Sequence, residues 1–172
     1  IYIIGGWNGS VSTDKVWRTT VVDGKLQGWQ LSSHRLPEGR SSHACVLHDD
    51  NVYVLGGWKG STPHDAVFRA SLDRSTGLLG PWQRVNPLYA PLYGHTAVVY
   101  GDSMYVLGGH DGNEVREDVR CAVIQDGDQL GSWGWSHNLP EARWGHQSLL
   151  IGDELVVING SPDRANSRAA VF

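Results

Sequence analysis

Only two of the 172 residues are cysteine, two are phenylalanine and one is methionine, and no apolar stretch comes near the roughly 18 residues of a membrane-spanning helix. Cys45 and Cys121 belong to no CxxC pair and to no Cys/His metal spacing. They are expected to be free, buried thiols. Lysine and arginine number 14 against 18 acidic residues, a net charge of −4 with both signs dispersed, so neither a nucleic-acid stripe nor a polybasic membrane patch is present. A glycine-rich phosphate loop and a nucleophile elbow are missing too. No window sustains a helical period, which excludes a bundle. The chain opens on Ile1 without a positive leading segment, so no signal or anchor is visible.

What is abundant is glycine, at 22 residues, and tryptophan, at eight, the composition of a turn-dense β protein with stiff aromatic packing. The glycines are periodic. Gly5-Gly6, Gly56-Gly57, Gly108-Gly109 and Asn159-Gly160 each close an apolar run, and their first members stand 51, 52 and 51 residues apart. A period of that size marks a repeat architecture, because a single unit of about 50 residues cannot bury its apolar face without neighbours.

In the unit that starts at His43, Ala44 to Leu47 reads as a first strand, Asp49-Asp50-Asn51 as a turn, and Val52 to Leu55 as a second strand ending at the diglycine. A polar loop from Trp58 to Asp65, a third strand from Ala66 to Leu72 and a short fourth strand at Trp82 complete a four-stranded unit. His43, His95 and His146 each precede the diglycine position by 13 residues. Such a fixed offset gives these histidines a structural role in or between units, rather than a metal. Trp29, Trp82 and Trp133, with Tyr53 and Tyr105, are expected to glue successive sheets face to face.

These markers resemble kelch repeats of the bacterial style, which carry Gly-x-Trp before a Leu-Pro-x-x-Arg-x-x-His segment. The match stands in Gly28-Trp29 with Leu36-Pro37-Glu38-Gly39-Arg40-Ser41-Ser42-His43, and in Ser132-Trp133 with Leu139-Pro140-Glu141-Ala142-Arg143-Trp144-Gly145-His146. The middle unit departs with Leu88-Tyr89 and Leu92 but keeps Gly94-His95. The resemblance implies an all-β, kelch-type propeller of four-stranded antiparallel blades. Blade segments fall at about 1–36, 37–88, 89–139 and 140–172, the last reaching a third strand, so that the chain is about three and a half blades of a six- or seven-bladed ring. The remaining blades are expected from the rest of the same polypeptide. Pairing of two copies fails on register, since a chain ending on a third strand would meet one beginning on a second.

Loops from second to third strands (7–14, 58–65, 110–117 and 161–168) and between blades (30–39, 83–91 and 136–142) are expected on one face around the channel. They collect Trp7, Asn8, His34, Arg35, Trp58, Lys59, His64, His110, Asp111, Glu114, Arg116, Asp163 and Arg164. Aromatic and arginine anchors on rigidly held loops are the usual ingredients of a binding surface. The plainer alternative is a set of solvated loop residues with Trp7 and Trp58 packed beside their own diglycine turns. His110-Asp111 with Glu114, Glu117 and Asp118 is the one local donor cluster, and neighbours on a hairpin loop seldom converge on a metal. Arg40 and Arg143 are expected to bridge blades.

Catalysis finds no support in the residues. Copper radical oxidases on kelch-like propellers need a cysteine cross-linked to tyrosine, and no such set is present. Plant specifier proteins carry Glu-x-x-x-Asp-x-x-x-His for iron, whereas here Glu114 and Asp118 are followed by Ala122. Sialic acid mutarotases share the fold without a recognisable motif. The expectation is a non-catalytic scaffold, without cofactor, that binds a protein or glycan ligand through the loop face. The alternatives are a sugar-acting enzyme of this fold and a structural spacer.

Overall fold

The structure, a computed structural model, describes residues 1–163. Among the described residues there is no helix, and hence none that could cross a membrane. The third strand expected beyond 163, and Arg164, lie outside the described residues.

Two complete blades stand in the middle. The first orders strands Ala44–His48, Asn51–Leu55, Val67–Asp73 and Gln83–Val85 in one antiparallel sheet, and the second orders Thr96–Tyr100, Ser103–Leu107, Asp118–Gln125 and Gly134–Asn138. In each, a short extra strand, Leu78–Leu79 or Gln129–Leu130, folds back on the outer end of the third strand. Before them lies a three-stranded sheet of Tyr2–Ile4, Val16–Arg18 and Gln30–Leu31. After them comes the hairpin of Gln147–Ile151 and Glu154–Ile158. The first strands Ala44–His48, Thr96–Tyr100 and Gln147–Ile151 lie side by side and line a common channel.

The core is a series of layers between sheets, because each short twisted sheet is covered only by its neighbours. One layer joins Val16 and Leu36 to Val52, Val54, Ala70 and Leu79; the next joins Tyr53, Leu55, Val67 and Val85 to Met104, Val106, Ile124 and Leu130. A third joins Val98, Leu107 and Val119 to Leu150 and Val157. Other apolar side chains at the two outer sheets are bare: Ile1, Ile3, Ile151 and Ile158 are all exposed.

The repeat tryptophans explain themselves through these layers. Trp82 donates its indole N–H to the His34 carbonyl of the preceding sheet at 3.4 Å, and Trp133 donates to the Pro87 carbonyl at 2.8 Å. Trp29, in the first sheet, is 41% exposed, and no such inter-sheet bond is made by its indole among the described residues. The cysteines also differ from expectation: both are free, but Cys45 is exposed on the channel wall and Cys121 is half-buried. Alternate residues of an innermost strand face the channel rather than a neighbouring sheet, and Cys45 is one of them.

Candidate functional site

The diglycines fix the inner end of the loop face. Gly56 and Gly57 have φ of +57° and +101°, the region L side chains avoid. A Cβ on Gly57 would stand 2.8 Å from the Cβ of His43, and one on Gly56 would stand 2.6 Å from the Leu92 carbonyl and 2.8 Å from the His95 ring. The same contacts recur at Gly5 with His43, Gly108 with His146 and Gly109 with His95, and Gly6 likewise has a left-handed φ of +101°. Each repeat histidine is thus clamped between the turns of two adjacent units. At 159 the first glycine is replaced by asparagine, at φ +65°, a residue that tolerates this conformation.

Burial pushes His43 down to about 4, helped by the Arg40 charge, and His146 down to about 4, helped by Arg143. His95 falls to about 3 through burial and the neighbouring His43 and His146. All three are held neutral at ordinary pH. Arg40, 2% exposed, donates Nη1 to the carbonyls of Gly56 (2.7 Å) and Ala66 (3.1 Å) and lies 4.6 Å over the Phe68 ring. Arg143 donates to Asn159 at 3.0 Å in the same way. These hydrogen bonds tie each segment to its own blade and do not bridge two blades as expected, because the carbonyls within reach of each guanidinium belong to the turn of the same unit.

At three of the four diglycine positions the next residue pairs with the residue two before a repeat histidine, Trp58 with Ser41, His110 with Tyr93 and Ser161 with Trp144, whereas Trp7 bridges Ser12 in its own loop. Those bridges gather aromatic rings from successive units. Tyr93 and His110 are buried and stacked at 5.1 Å and 25°. Trp58 meets Tyr93 edge-on at 4.8 Å, and Trp144 meets Tyr93 at 5.7 Å and His110 at 6.3 Å. Trp7, Trp58 and Tyr93 then surround a shallow depression of about 430 Å³ with Ser41, Ser42 and Gly60. Trp7 is 59% exposed. The indole N–H of Trp58 is taken by the Gly60 carbonyl at 2.9 Å, and that of Trp144 by the Asp163 carbonyl at 3.3 Å.

The other candidates are spread around this ridge. Asn8 accepts the amides of Ser10 and Val11 and so shapes the Trp7 loop. Arg35 pairs with Asp14 at 3.8 Å, and Lys59 with Glu38 at 3.5 Å, on the rim. His34 turns away, its Nδ1 donating to the Leu79 carbonyl of the next blade at 3.0 Å; one unit later Asn86 reaches the Leu130 carbonyl in the same manner. His64 contributes its backbone, bonded to Gly57 and Leu92, and His110 accepts the Gly112 amide on Nδ1. Asp111 caps the amides of Asn113 and Glu114; burial works against its ionisation, yet these amides and Arg116 keep its carboxyl below the usual range. Arg116 joins Asp118 at 3.0 Å and Glu114 at 2.6 Å, and Arg120 reaches the other oxygen of Asp118 at 2.9 Å. Among the described residues no three His, Cys, Asp or Glu side chains converge as a metal would require.

Tyr93 and Trp144 escaped the sequence reading. A signal was present: each stands two residues before the repeat histidine, at a place held by Ser41 in the first unit, beside the most regular marker in the chain.

Four-stranded antiparallel blades about a channel, with diglycine turns clamping a histidine from the next unit, define a kelch-type propeller. The chain belongs to the kelch-repeat family: the family model described as the KLHDC2/KLHL20/DRC7 Kelch-repeats domain matches residues 1–170. Among similar proteins, beta-scruin of Limulus polyphemus is 27% identical over 170 residues, covering 94% of this chain and 18% of that protein. Kelch repeat protein M-T8 of Myxoma virus (strain Lausanne) is 26% identical, covering 98% and 31%. The leucine-zipper-like transcriptional regulator 1 of Pongo abelii is 31% identical over 127 residues, covering 70% and 15%. The chain therefore spans less than a third of the length of each. The solved structure titled "Structure of YjhT" superposes with a TM-score of 0.69 at 19% identity, covering 94% of this chain and 48% of that one, and shares the fold.

Proposed function

We propose that this propeller segment is a recognition scaffold whose loop face binds a protein ligand, with the exposed Trp7 and the half-buried Trp58 and Trp144 as its contact surface, seated on the buried Tyr93–His110 stack. The observation that carries the reading is the gathering of aromatic rings from successive blades at one mouth of the channel. The fold demands the diglycines, the histidines and the inter-sheet tryptophans; it does not demand Trp7, Trp58 or Trp144. Large rings with their N–H groups already bonded lose little conformational freedom on contact, which suits them as anchors. Concentration of aromatics on one face also favours recognition over a spacer role. We assign the remaining blades of the ring to the rest of the polypeptide, in keeping with the small share of its relatives that the chain spans.

The test is a peptide and glycan array probed with the intact polypeptide and with its Trp7→Ala and Trp58→Ala variants. Selective peptide capture that both variants weaken is expected. Capture of glycans alone would transfer the site to carbohydrate, and capture untouched by either variant would remove the function from this face.

A further inference from the structure

The depression between Trp7 and Trp58 has properties that select among the ways in which proteins hold a peptide. Adding a strand requires an open edge, but on this face Ser41 N and Trp58 N already donate to each other's carbonyls at 3.0 and 2.7 Å, and Tyr93 and His110 are paired likewise at 3.0 and 2.9 Å. Capture of a phosphate or a terminal carboxylate requires cations directed at the ligand. Here the nearby cations are engaged, Lys59 and Arg40 with Glu38, and Arg35 with Asp14, and none of them lines the depression.

A sugar would need several hydroxyl-directed partners. The Ser41 hydroxyl is 3.0 Å from that of Ser12, the Trp58 indole N–H serves Gly60, and the Asn8 carbonyl oxygen is held by two amides of its own loop. What the depression offers outward is chiefly ring surface: an exposed indole at Trp7, a half-buried indole at Trp58 set edge-on to Tyr93 at 64°, and the small residues Ser42 and Gly60 between them.

One peptide form matches a neutral, aromatic-walled, shallow groove without free edges. A polyproline II segment carries no internal hydrogen bonds, is ordered before it binds, and presents flat apolar pyrrolidine faces that recur about every 9 Å, once per three-residue turn. We infer that the Trp7–Trp58 depression takes an uncharged, proline-rich segment of a partner protein in the polyproline II form, with pyrrolidine rings laid against the two indoles. This rests on the loop face being a protein-binding surface and names the chemistry of the partner. Trp144, on the far side of the Tyr93–His110 stack, lies next along the same ridge and offers a second ring to a longer segment.

The probe is an acetylated and amidated polyproline peptide of about ten residues, titrated calorimetrically into the intact polypeptide beside a glycine-serine peptide of equal length. Polyproline is expected to bind and glycine-serine not. Trp7→Ala, at an exposed position that the fold does not use, and Trp58→Ala should each weaken binding about tenfold or more, as loss of an aromatic anchor does. Trp135→Ala, another exposed indole outside the depression, should leave it unchanged. Polyproline binding no better than glycine-serine, or binding insensitive to both Trp7→Ala and Trp58→Ala, overturns the inference. If polyproline fails while a different array peptide loses affinity on Trp7→Ala, the partner chemistry is wrong and the protein-binding face stands. If no peptide responds to either variant, the face itself is wrong.

Discussion

The hydroxyl of Tyr53 donates to the carbonyl of Asp128 in the next blade at 3.0 Å, as the hydroxyl of Tyr2, one unit earlier, donates to the carbonyl of Gly77 at 2.7 Å. Both contacts bridge 75 residues, so they are one device repeated. Tyr53 is fully buried, and burial together with the charge of Asp128 pushes its hydroxyl up to about 12. The Asp128 carboxylate is also ion-paired with Arg69, which in turn reaches Gln83 at 2.7 Å. A turn on the outer part of one blade is therefore latched to two strands of the blade before it.

Tyr53→Phe should lower stability by about 1–2 kcal/mol, since it keeps the ring packing and leaves a partly buried carbonyl without its donor. Denaturant unfolding of the intact polypeptide measures it. Combined with Arg69→Ala the loss should depart from the sum of the single losses, because both side chains hold the same turn. An additive cycle would mean that the two contacts are independent.

Gly57→Ala tests the clamp. The new Cβ would need a left-handed φ and would stand 2.8 Å from both the Cβ of His43 and the Ser41 carbonyl, so the turn, the histidine and the Ser41–Trp58 bridge must all shift. A loss of about 3 kcal/mol or more is expected from strain and overpacking together. Gly60→Ala, three residues on, is the control: it shares the positive φ but meets no atom within 4 Å, and it should cost no more than about 1–2 kcal/mol.

Arg40 and its counterpart Leu92 provide a natural comparison. Leu92 is fully buried without a guanidinium, and the middle unit packs an apolar side chain where the first unit carries a charge. Arg40→Ala should destabilise by about 3 kcal/mol, since it empties a buried site, takes the guanidinium donor from the Gly56 carbonyl and leaves the Ala66 carbonyl with the Gly56 amide alone. Arg40→Leu should recover part of that loss by refilling the space against Phe68, and a chemical denaturation series of the two variants decides it. Equal losses would assign the whole effect to the hydrogen bonds.

Much of this could be read along the chain because the repeat dictates it. The 51-residue step fixed four-stranded blades, the diglycine turns and the histidine offset, each imposed by backbone conformation or by contact with the next unit. Cys45 was misjudged because an innermost strand has one face on the channel. Tyr93 and Trp144 were not recognised as ring partners of Trp58 and His110, since that meeting is created by bridges between units and its one mark in the sequence is their position two residues before the repeat histidine. His34 read as a loop residue, but its ring is drawn to the Leu79 carbonyl by the close approach of the following blade.

Acid sensitivity follows from the histidine clamp, and its sign is set by burial. In the unfolded chain each imidazole takes a proton near its ordinary value of about 6.5, whereas in the folded chain His43 and His146 resist protonation to about 4 and His95 to about 3. Between those limits the unfolded state binds more protons, so stability is full above about pH 6.5 and falls as the pH drops toward 4. The loss at the acid limit is on the order of 3 kcal/mol each for His43 and His146 and about 5 kcal/mol for His95, before any carboxylate contributes. Asp118 acts in a separate, lower window: burial opposes its charge, but Arg120 and Arg116 hold its carboxyl below the usual value, so its stabilisation disappears only under stronger acid. Denaturant midpoints at pH 8, 6, 5 and 4 should decline most steeply between 6 and 4. His95→Gln should flatten that slope while lowering stability at pH 8. A midpoint constant from pH 8 to 4.5 would show that these imidazoles are not clamped neutral between the blades.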